Sequence, residues 1–353
     1  EARVIGPAEG GVVELIYLSN MDCEVVIPDD AKDWISLAPA TKSLQQRSVN
    51  IVLQPNTEYY RSATVTIKAK DGSLSLEYVI EQDGDLGVYI DPTAVPDNEI
   101  WYTTTDGTPI SLISEVVGWP NAEFNTNVVS NEYKGGKGVI RFEYPVTTIC
   151  EKSFIQKNLI SIYLPSSISK IDADAFTSCY FLKEVYVNSK SLSIEEHPNG
   201  CVYIGNPFMG CPNLSKFSGP NSSEDGRCLI VDNAICSFAP FGITEYTTPS
   251  DVKIIKADAF NSHNLKTIII SEGVEEIHEH AFAATDFEAY GIESSLEYVY
   301  LPRTLKYIHG YAFIYNKNIK AFYGENDFVT DDNMALISKD IYGNKWLISF
   351  ASG

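Results

Sequence analysis

Residues 12–80 alternate apolar and polar positions in short runs, among them VVELIYL, CEVVI, VNIVL and ATVTIKA. A period of two is typical of β-strands that bury one face, and Asn, Pro, Asp and Gly residues separate the runs. This segment therefore predicts an antiparallel β-sandwich. A strand Trp in a small sandwich usually fills the middle, so we expect Trp34 to lie in the core rather than to form a surface platform.

From about residue 138 the chain repeats itself, and the shortest unit is 22 residues long, as from Phe154 to Phe176. A small residue or proline precedes each anchoring Phe, and an Ile or Tyr lies five positions before it. The anchors are Phe154, Phe176, Phe208, Phe260, Phe282 and Phe313. A unit this short cannot bury its own apolar face, so the units must stack into a solenoid. We expect one strand per coil in a parallel sheet, the Phe at the opposite corner, and a single continuous interior.

Two segments that interrupt or follow the repeats are similar to one another. Residues 219–242 contain LIVDNAICSFA, and residues 324–353 contain LISKDIYGNKWLISFA. We expect the second to end the solenoid as a hairpin cap, and the alternative is that further repeats follow it. Residues 85–137 lack the repeat and predict a linker followed by an N-terminal cap.

Both halves of the chain resemble known families. WISL, NTEYYRSATVTI and VIEQDG, in that order within residues 1–84, resemble the BACON domain, an immunoglobulin-like sandwich of Bacteroidetes associated with carbohydrate binding. The consensus after residue 138, with C-x-x-L at 179–182 and 211–214, resembles the BspA-like leucine-rich repeat of bacterial surface proteins. The resemblance implies an extracytoplasmic protein, secreted or at the cell surface, and a signal or lipid anchor upstream of residue 1 would lie outside this sequence.

The expected fold class is mostly β, with an N-terminal immunoglobulin-like β-sandwich, a leucine-rich-repeat solenoid with a parallel sheet, and few helices. The predicted organisation is a sandwich over residues 1–84, a linker and cap over 85–137, and repeats over 138–353 with hairpin inserts at 219–242 and 324–353.

Charge and cysteine content limit the partners. The chain has 47 acidic and 26 basic residues, for a formal charge of −21. Nucleic acid and anionic lipid both require a basic face, so neither is expected as a partner. No apolar run approaches the ~20 residues that cross a bilayer, so we expect no membrane insertion. Seven Cys residues without a C-x-x-C pair favour buried free thiols over a disulfide framework. We expect a monomer.

The stretch VEEIHEHAFAATD places His278 and His280 on either side of a glutamate. The spacing is not that of H-E-x-x-H, and other coils carry varied polar residues at both positions. We therefore expect solvated histidines at an outward corner and no metal site. Motifs for a phosphate-binding loop or a serine nucleophile are also missing, so the sequence predicts neither an enzyme nor a cofactor.

One outward position in each predicted strand is rich in tyrosine. Exposed rings along a parallel sheet could stack on sugar rings or on side chains of a partner. The candidate binding residues are Tyr163, Tyr186, Ile269, Tyr298, Tyr300 and Tyr323. A tyrosine ladder also stabilises a sheet by itself, which leaves a scaffolding role open. The predicted function is a non-catalytic surface protein that adheres to host protein, matrix or glycan, and the alternative is a structural spacer or assembly subunit without a ligand of its own.

Overall fold

The computed structural model describes residues 2–6, 10–17, 23–38, 47–56, 61–70, 75–82, 90–112, 124–195, 205–260, 264–284, 295–339 and 345–351. These residues contain β-strands and two 3-10 helices, Asp29–Ala31 and Pro92–Ala94. The predicted fold class, mostly β with a sandwich and a repeat solenoid, is confirmed. Contacts divide the chain into two compact units, Glu1–Ile90 with Thr105–Gly107, and Asp91–Thr104 with Thr108–Gly353.

The first unit is a sandwich of two sheets. Its strands are β1 Ala2–Gly6, β2 Gly11–Tyr17, β3 Cys23–Val26, β4 Ile35–Leu37, β5 Arg47–Leu53, β6 Arg61–Ala69 and β7 Ser75–Gln82. One sheet has the order β1-β7-β6-β3 and the other β2-β5-β4. Leu15, Ile51, Val65 and Ile80 are fully buried between them, because each points inward from an alternating strand. Trp34 is also buried, as expected for a core residue.

The second unit begins with three antiparallel strands and continues into the first repeat block, the coils of residues 138–218. Its strands are β8 Glu99–Thr104, β9 Val128–Lys134, β10 Lys137–Phe142, β11 Thr148–Ile149, β12 Leu159–Leu164, β13 Lys170–Asp172, β14 Glu184–Val187, β15 Ser193–Glu195 and β16 Lys216–Ser218. The main sheet has the order β16-β14-β12-β8-β10-β9, and β12, β14 and β16 run parallel in it. A second parallel sheet, β11-β13-β15, lies on the corner side of the coils.

Phenylalanine rings stack along the corner of the coils. Phe154 and Phe176 lie 4.9 Å apart between centroids, and Phe176 and Phe208 lie 4.7 Å apart. Backbone hydrogen bonds join neighbouring coils at the residue before the Phe, as where the Phe154 N–H donates to the Ala175 carbonyl of the following coil at 2.8 Å. Equivalent bonds are accepted by Pro207, Ala281 and Ala312. A small residue is needed there because a longer side chain would separate the coils.

A hairpin, β17 Cys228–Val231 and β18 Ala234–Phe238, follows the first block. Its turn consists of Asp232 and Asn233, both in the left-handed region, which Asp and Asn tolerate better than most residues. Every side chain of β18 is buried, because the hairpin has core on both faces. Leu229, Val231, Cys236 and Ala239 pack into the core of the first block, whereas Cys228, Ile235 and Phe238 pack into a second core.

The second repeat block comprises the coils of residues 244–323. Its strands are β19 Glu245–Thr247, β20 Ile254–Ile255, β21 Thr267–Ile269, β22 Glu276–Ile277, β23 Tyr298–Tyr300, β24 Tyr307–Ile308 and β25 Ala321–Tyr323. The outward sheet β19-β21-β23-β25 is separate from the sheet that ends at β16, while β18 pairs in parallel with β20 on the corner side. The expected single continuous interior is therefore wrong. The sequence located an insert at residues 219–242 but not the division of the core, because the two blocks on either side of the hairpin share one consensus.

The described chain ends in a second hairpin, β26 Ala335–Lys339 and β27 Lys345–Phe350. Leu336 and Ala351 are fully buried in the core of the second block. Ile348 is partly buried against the same core. The hairpin therefore covers the last coil with one of its faces.

Candidate functional site

The predicted tyrosine column lies on the outward face of the sheets but is divided into two patches. Tyr163 aligns with Tyr186 across β12 and β14, and Ile269 aligns with Tyr300 and Tyr323 across β21, β23 and β25. The break between β16 and β19 separates the two groups. We call Trp101, Tyr163 and Tyr186 the first patch, and Ile269, Tyr298, Tyr300 and Tyr323 the second patch.

Trp101 joins the first patch from a strand outside the repeats. It lies opposite Tyr163 in the antiparallel pair of β8 and β12. The Trp101 indole N–H donates to Glu99 Oε2 at 2.7 Å, and Lys137 Nζ lies 3.4 Å from the centroid of the Trp101 ring, which is a cation–π distance. The sequence did not reveal this residue, because Trp101 lies outside the repeats and its partner Tyr163 is far along the chain. The alternation in EIWYTT was the signal that could have found it.

The rings of the first patch are half-buried rather than exposed. Burial raises the pKa of the Tyr163 phenol, the nearby Ser161 hydroxyl lowers it, and the charge of Glu184 raises it further. The phenol is therefore neutral at physiological pH and remains able to donate a hydrogen bond.

The second patch is more open, and Tyr300 is 40% exposed. The rings of Tyr300 and Tyr323 stack on one another, with centroids 4.8 Å apart and planes 19° apart. Lys320 Nζ lies 5.7 Å from the Tyr298 ring and pairs with Glu297 at 2.6 Å. Because the stacked rings turn their faces toward each other, they present edges and hydroxyl groups to solvent.

A polar cleft of about 630 Å³ lies at the break between the two sheets. It lies between the loop before the internal hairpin and the segment around β19, whose Thr247 is the register neighbour of Ile269. Hydroxyl, amide and carboxylate groups predominate in its lining, which consists of Pro220, Asn221, Ser222, Ser223, Glu224, Asp225, Ile230, Tyr246, Thr247, Pro249, Ser250 and Asp251. The cleft and the second patch therefore form neighbouring parts of one face.

The prediction that both histidines are solvated is wrong for His280. His278 is half-exposed and lies 3.2 Å from Glu276, but His280 is only 7% exposed. Its backbone is left-handed at φ 55°, as are Asp174 and Asp258 at the same position of their coils. The left-handed residue turns the chain at the corner and its side chain lies against the neighbouring coil. The sequence pattern could not show this because the three side chains share polarity but no single identity.

Burial lowers the pKa of His280, as does the charge of His309, while Glu279 raises it. The imidazole is thus biased toward its neutral form. Within the described ranges, no group of three or more His, Cys, Asp or Glu side chains is arranged to hold a metal ion.

The cysteines behave as core residues. Cys179, Cys211, Cys228 and Cys236 are buried and form no disulfide, whereas Cys23 and Cys150 are half-buried and Cys201 lies outside the described residues. The Cys179 thiol donates to the Phe154 carbonyl at 2.8 Å, one coil away. The prediction of buried free thiols is confirmed for the four buried cysteines. In the part of the chain that the structure describes, no helix is long and apolar enough to span a bilayer.

Comparison with protein families finds two matches. The family described as a BspA type leucine rich repeat region matches in six copies over residues 138–224 and 188–320. The BACON family, described as a putative N-terminal binding domain, matches residues 24–83. Both resemblances seen in the sequence, and their order, are confirmed.

Solved structures give more distant likenesses. A leucine rich cell surface protein from Faecalibacterium prausnitzii A2-165 is 19% identical with a TM-score of 0.38, over 65% of this chain and 53% of that one. The pneumococcal vaccine antigen PcpA is 16% identical with a TM-score of 0.22, over 57% of this chain and 72% of that one. This chain spans about half the length of the first of them. No curated protein matches the chain.

Proposed function

Because the chain belongs to the BspA-type leucine-rich repeat family and carries a BACON domain, we propose that it is a non-catalytic cell-surface protein that binds a host or matrix protein through the outward face of its solenoid sheets. The observation that carries the proposal is the pair of aromatic patches on that face. Extended solenoid sheets are well suited to recognition, because their outward side chains are set by register and are not needed for the core.

The geometry of the second patch favours a protein ligand over a glycan. A sugar ring packs on the face of an aromatic ring, whereas Tyr300 and Tyr323 each cover one face of the other, which reduces the aromatic face left for a sugar. Their edges and hydroxyl groups match the mixed apolar and hydrogen-bonding surface of a protein, in which Tyr is an energetically important residue type. Glycan binding is therefore the less favoured version of this function.

The charge of the same face suggests what the partner carries. Glu224, Asp225 and Asp251 line the cleft beside the second patch, and the whole chain has a formal charge of −21. A partner with a basic surface would be attracted by this field, and its association rate would fall as salt is added. An extracytoplasmic location, at the cell surface or secreted, is part of the proposal.

A structural spacer is the second candidate, and two contacts favour it. The Tyr300–Tyr323 stack and the Lys137–Trp101 contact are the interactions that a sheet would use to stabilise itself without any ligand. The spacer role thus predicts that the aromatic side chains matter for stability rather than for binding.

The test uses the full chain and two triple variants. The first replaces the sheet-face residues, Tyr186→Ser, Tyr300→Ser and Tyr323→Ser. The control replaces three exposed tyrosines at the corner of the last coil, Tyr307→Ser, Tyr311→Ser and Tyr315→Ser. Parent and variants are screened on arrays of extracellular-matrix proteins and of glycans, and their thermal unfolding is measured.

We expect the parent and the control to bind a protein on the array, and the sheet-face variant to bind at least ~10-fold more weakly with a similar melting temperature. Binding confined to the glycan array would replace the protein ligand with a glycan. Absence of binding on both arrays, together with a lower melting temperature of the sheet-face variant alone, would reject recognition in favour of the spacer.

A further inference from the structure

The internal and terminal hairpins are built on the same hydrogen bonds. In the internal copy, the Cys228 N–H donates to Ser223 Oγ at 2.8 Å, and in the terminal copy the Ala335 N–H donates to Thr330 Oγ1 at 3.0 Å. In both copies an aspartate two residues after the Ser or Thr, Asp225 or Asp332, accepts a hydrogen bond from that hydroxyl. Gly226 and Asn333 then occupy the same left-handed position. The two segments are therefore structural equivalents, residue by residue.

Strand pairing extends this equivalence through both hairpins. Phe238 lies opposite Cys228, and Phe350 lies opposite Ala335. The next pairs toward the turn match as well, with one register shift at the same place in each copy. The matched residues are Cys228 and Ala335, Leu229 and Leu336, Ile235 and Leu347, Cys236 and Ile348, Phe238 and Phe350, and Ala239 and Ala351.

The inner faces of the two hairpins are alike, but the outer faces differ. Leu229 and Leu336 are both buried in the core of the block that precedes their hairpin. On the outer face, Ile235 and Phe238 are 0% and 2% exposed, whereas their equivalents Leu347 and Phe350 are 65% and 61% exposed. The terminal hairpin thus presents to solvent an apolar face that its internal equivalent buries. A terminating cap needs a polar outer face, so this face does not suit a cap.

The internal copy shows what covers such a face. The first coil of the second block lies on it, with β20 parallel to β18 and Ile255 aligned with Ile235. The Phe260 ring lies 4.7 Å from the Phe238 ring, and the Tyr246 ring lies 4.7 Å from it on another side. One repeat coil therefore covers the strand edge and the apolar face together.

We propose that the outer face of the terminal hairpin, formed by Leu347, Phe350 and the edge of β27, is a docking surface for one more leucine-rich-repeat coil. The coil lies parallel to β27 and carries the pattern of residues 246–260, with an Ile at the position of Ile255 and a Phe at that of Phe260. The terminal hairpin is then a divider between repeat blocks, as the internal hairpin is.

A second copy of this chain is the less suitable occupant. The first coil of a copy does not offer an open face, because the rings of Phe124 and Phe142 pack together and Phe124 also contacts the first Phe of the repeats, Phe154. Two hairpins related by a twofold axis would pair antiparallel, whereas the internal copy is covered by a parallel strand.

The experiment appends residues 240–351 directly after Ala351, at the point where Pro240 follows the equivalent Ala239 in the internal copy. Leu347→Cys is introduced in the parent and in the extended chain. The extended chain has two copies of the hairpin, and only the first copy carries the substitution. Maleimide modification of that cysteine is followed by peptide mass spectrometry. We expect modification in the extended chain to be at least ~10-fold slower than in the parent, because the added coil buries the side chain.

Phe350→Lys in the first hairpin is the matched control. In the parent it should leave the melting temperature almost unchanged, since the side chain is exposed. In the extended chain it should restore rapid modification of the cysteine. Equal modification rates in the parent and the extended chain would overturn the proposal. So would a concentration-dependent dimer of the parent that Phe350→Lys disperses, because the occupant would then be a second copy.

A hairpin exchange gives an independent test if the extended chain does not fold. Residues 228–239 are replaced by residues 335–351, so that the second block must dock on Leu347 and Phe350. We expect one cooperative unfolding transition and resistance of the second block to limited proteolysis. Rapid cleavage within residues 244–323, with the first block intact, would show that the terminal hairpin does not accept a coil.

Discussion

The corner side and the sheet side of the same coils differ in how strictly their residues are determined. At the corner, Phe154, Phe176, Phe260 and Phe282 are fully buried, and each stacks on the Phe of a neighbouring coil. On the sheet face, the register neighbours are aromatic, aliphatic or hydroxyl side chains, and all are at least partly exposed. The comparison indicates that the corner carries the stability of the solenoid and leaves the sheet face free for recognition.

A pair of aromatic truncations in the second block tests this division with the largest expected effect. Phe282→Ala should lower the free energy of unfolding by about 3–5 kcal/mol, because it leaves a cavity between two stacked rings. Tyr300→Ala should cost less than about 1 kcal/mol, since its ring is 40% exposed. Urea unfolding of both variants measures the difference. Equal losses would show that the sheet face is as structural as the corner.

The same division explains which features the sequence could predict. The period located every anchoring Phe, because each coil must place one large ring at the same inward position. It located the insert between β16 and β19 but could not show that this insert divides the core, since the hairpin residues are apolar on both faces and read as another strand pair. It also misplaced His280, because the left-handed backbone that turns this side chain inward leaves no mark in polarity. Trp101 was missed because its partner Tyr163 lies on a strand far along the chain.

The corner is continuous across the break even though the sheet side is not. The Gly205 N–H donates to Asp258 Oδ2 at 3.2 Å, and Asn206 Nδ2 donates to the Asp258 carbonyl at 3.0 Å. These bonds join the last corner of the first block to the first corner of the second. Burial raises the pKa of Asp258 to about 7, against the lowering effect of the Gly205 N–H, and the charges of Asp174 and Glu279 raise it further.

This buried carboxyl makes the stability of the corner depend on pH. The folded pKa lies above the ordinary value of 3.8, so the folded state holds a proton that the unfolded chain has lost. The buried carboxyl therefore destabilises the folded state least below pH 3.8, and the free energy of unfolding falls as pH rises toward about 7. Asp258→Asn removes this dependence and keeps an oxygen to accept from Gly205. At pH 4 the substitution should change the free energy of unfolding very little. At pH 8 the variant should be more stable than the parent by about 1–3 kcal/mol.

Thermal unfolding of Asp258→Asn at pH 4, 6 and 8 measures this effect, with the exposed Asp251→Asn as the control. The control should follow the parent at all three values. A variant that loses stability equally at every pH would show that the carboxylate is held by more than the two bonds at this junction, and that the corner tolerates its charge.

The smallest expected effect concerns the sheet face itself. Tyr300 and Tyr323 stack at 4.8 Å, and a double-mutant cycle with Tyr300→Ala and Tyr323→Ala measures the coupling between their rings. Aromatic pairs of this kind contribute about 0.5–1.5 kcal/mol beyond the area they bury. Because both rings are partly exposed, we expect the lower end of that range. A coupling at the upper end, in a chain whose binding survives both substitutions, would mean that the stack evolved to hold β23 and β25 together, and the division between a structural corner and a recognition face would no longer hold.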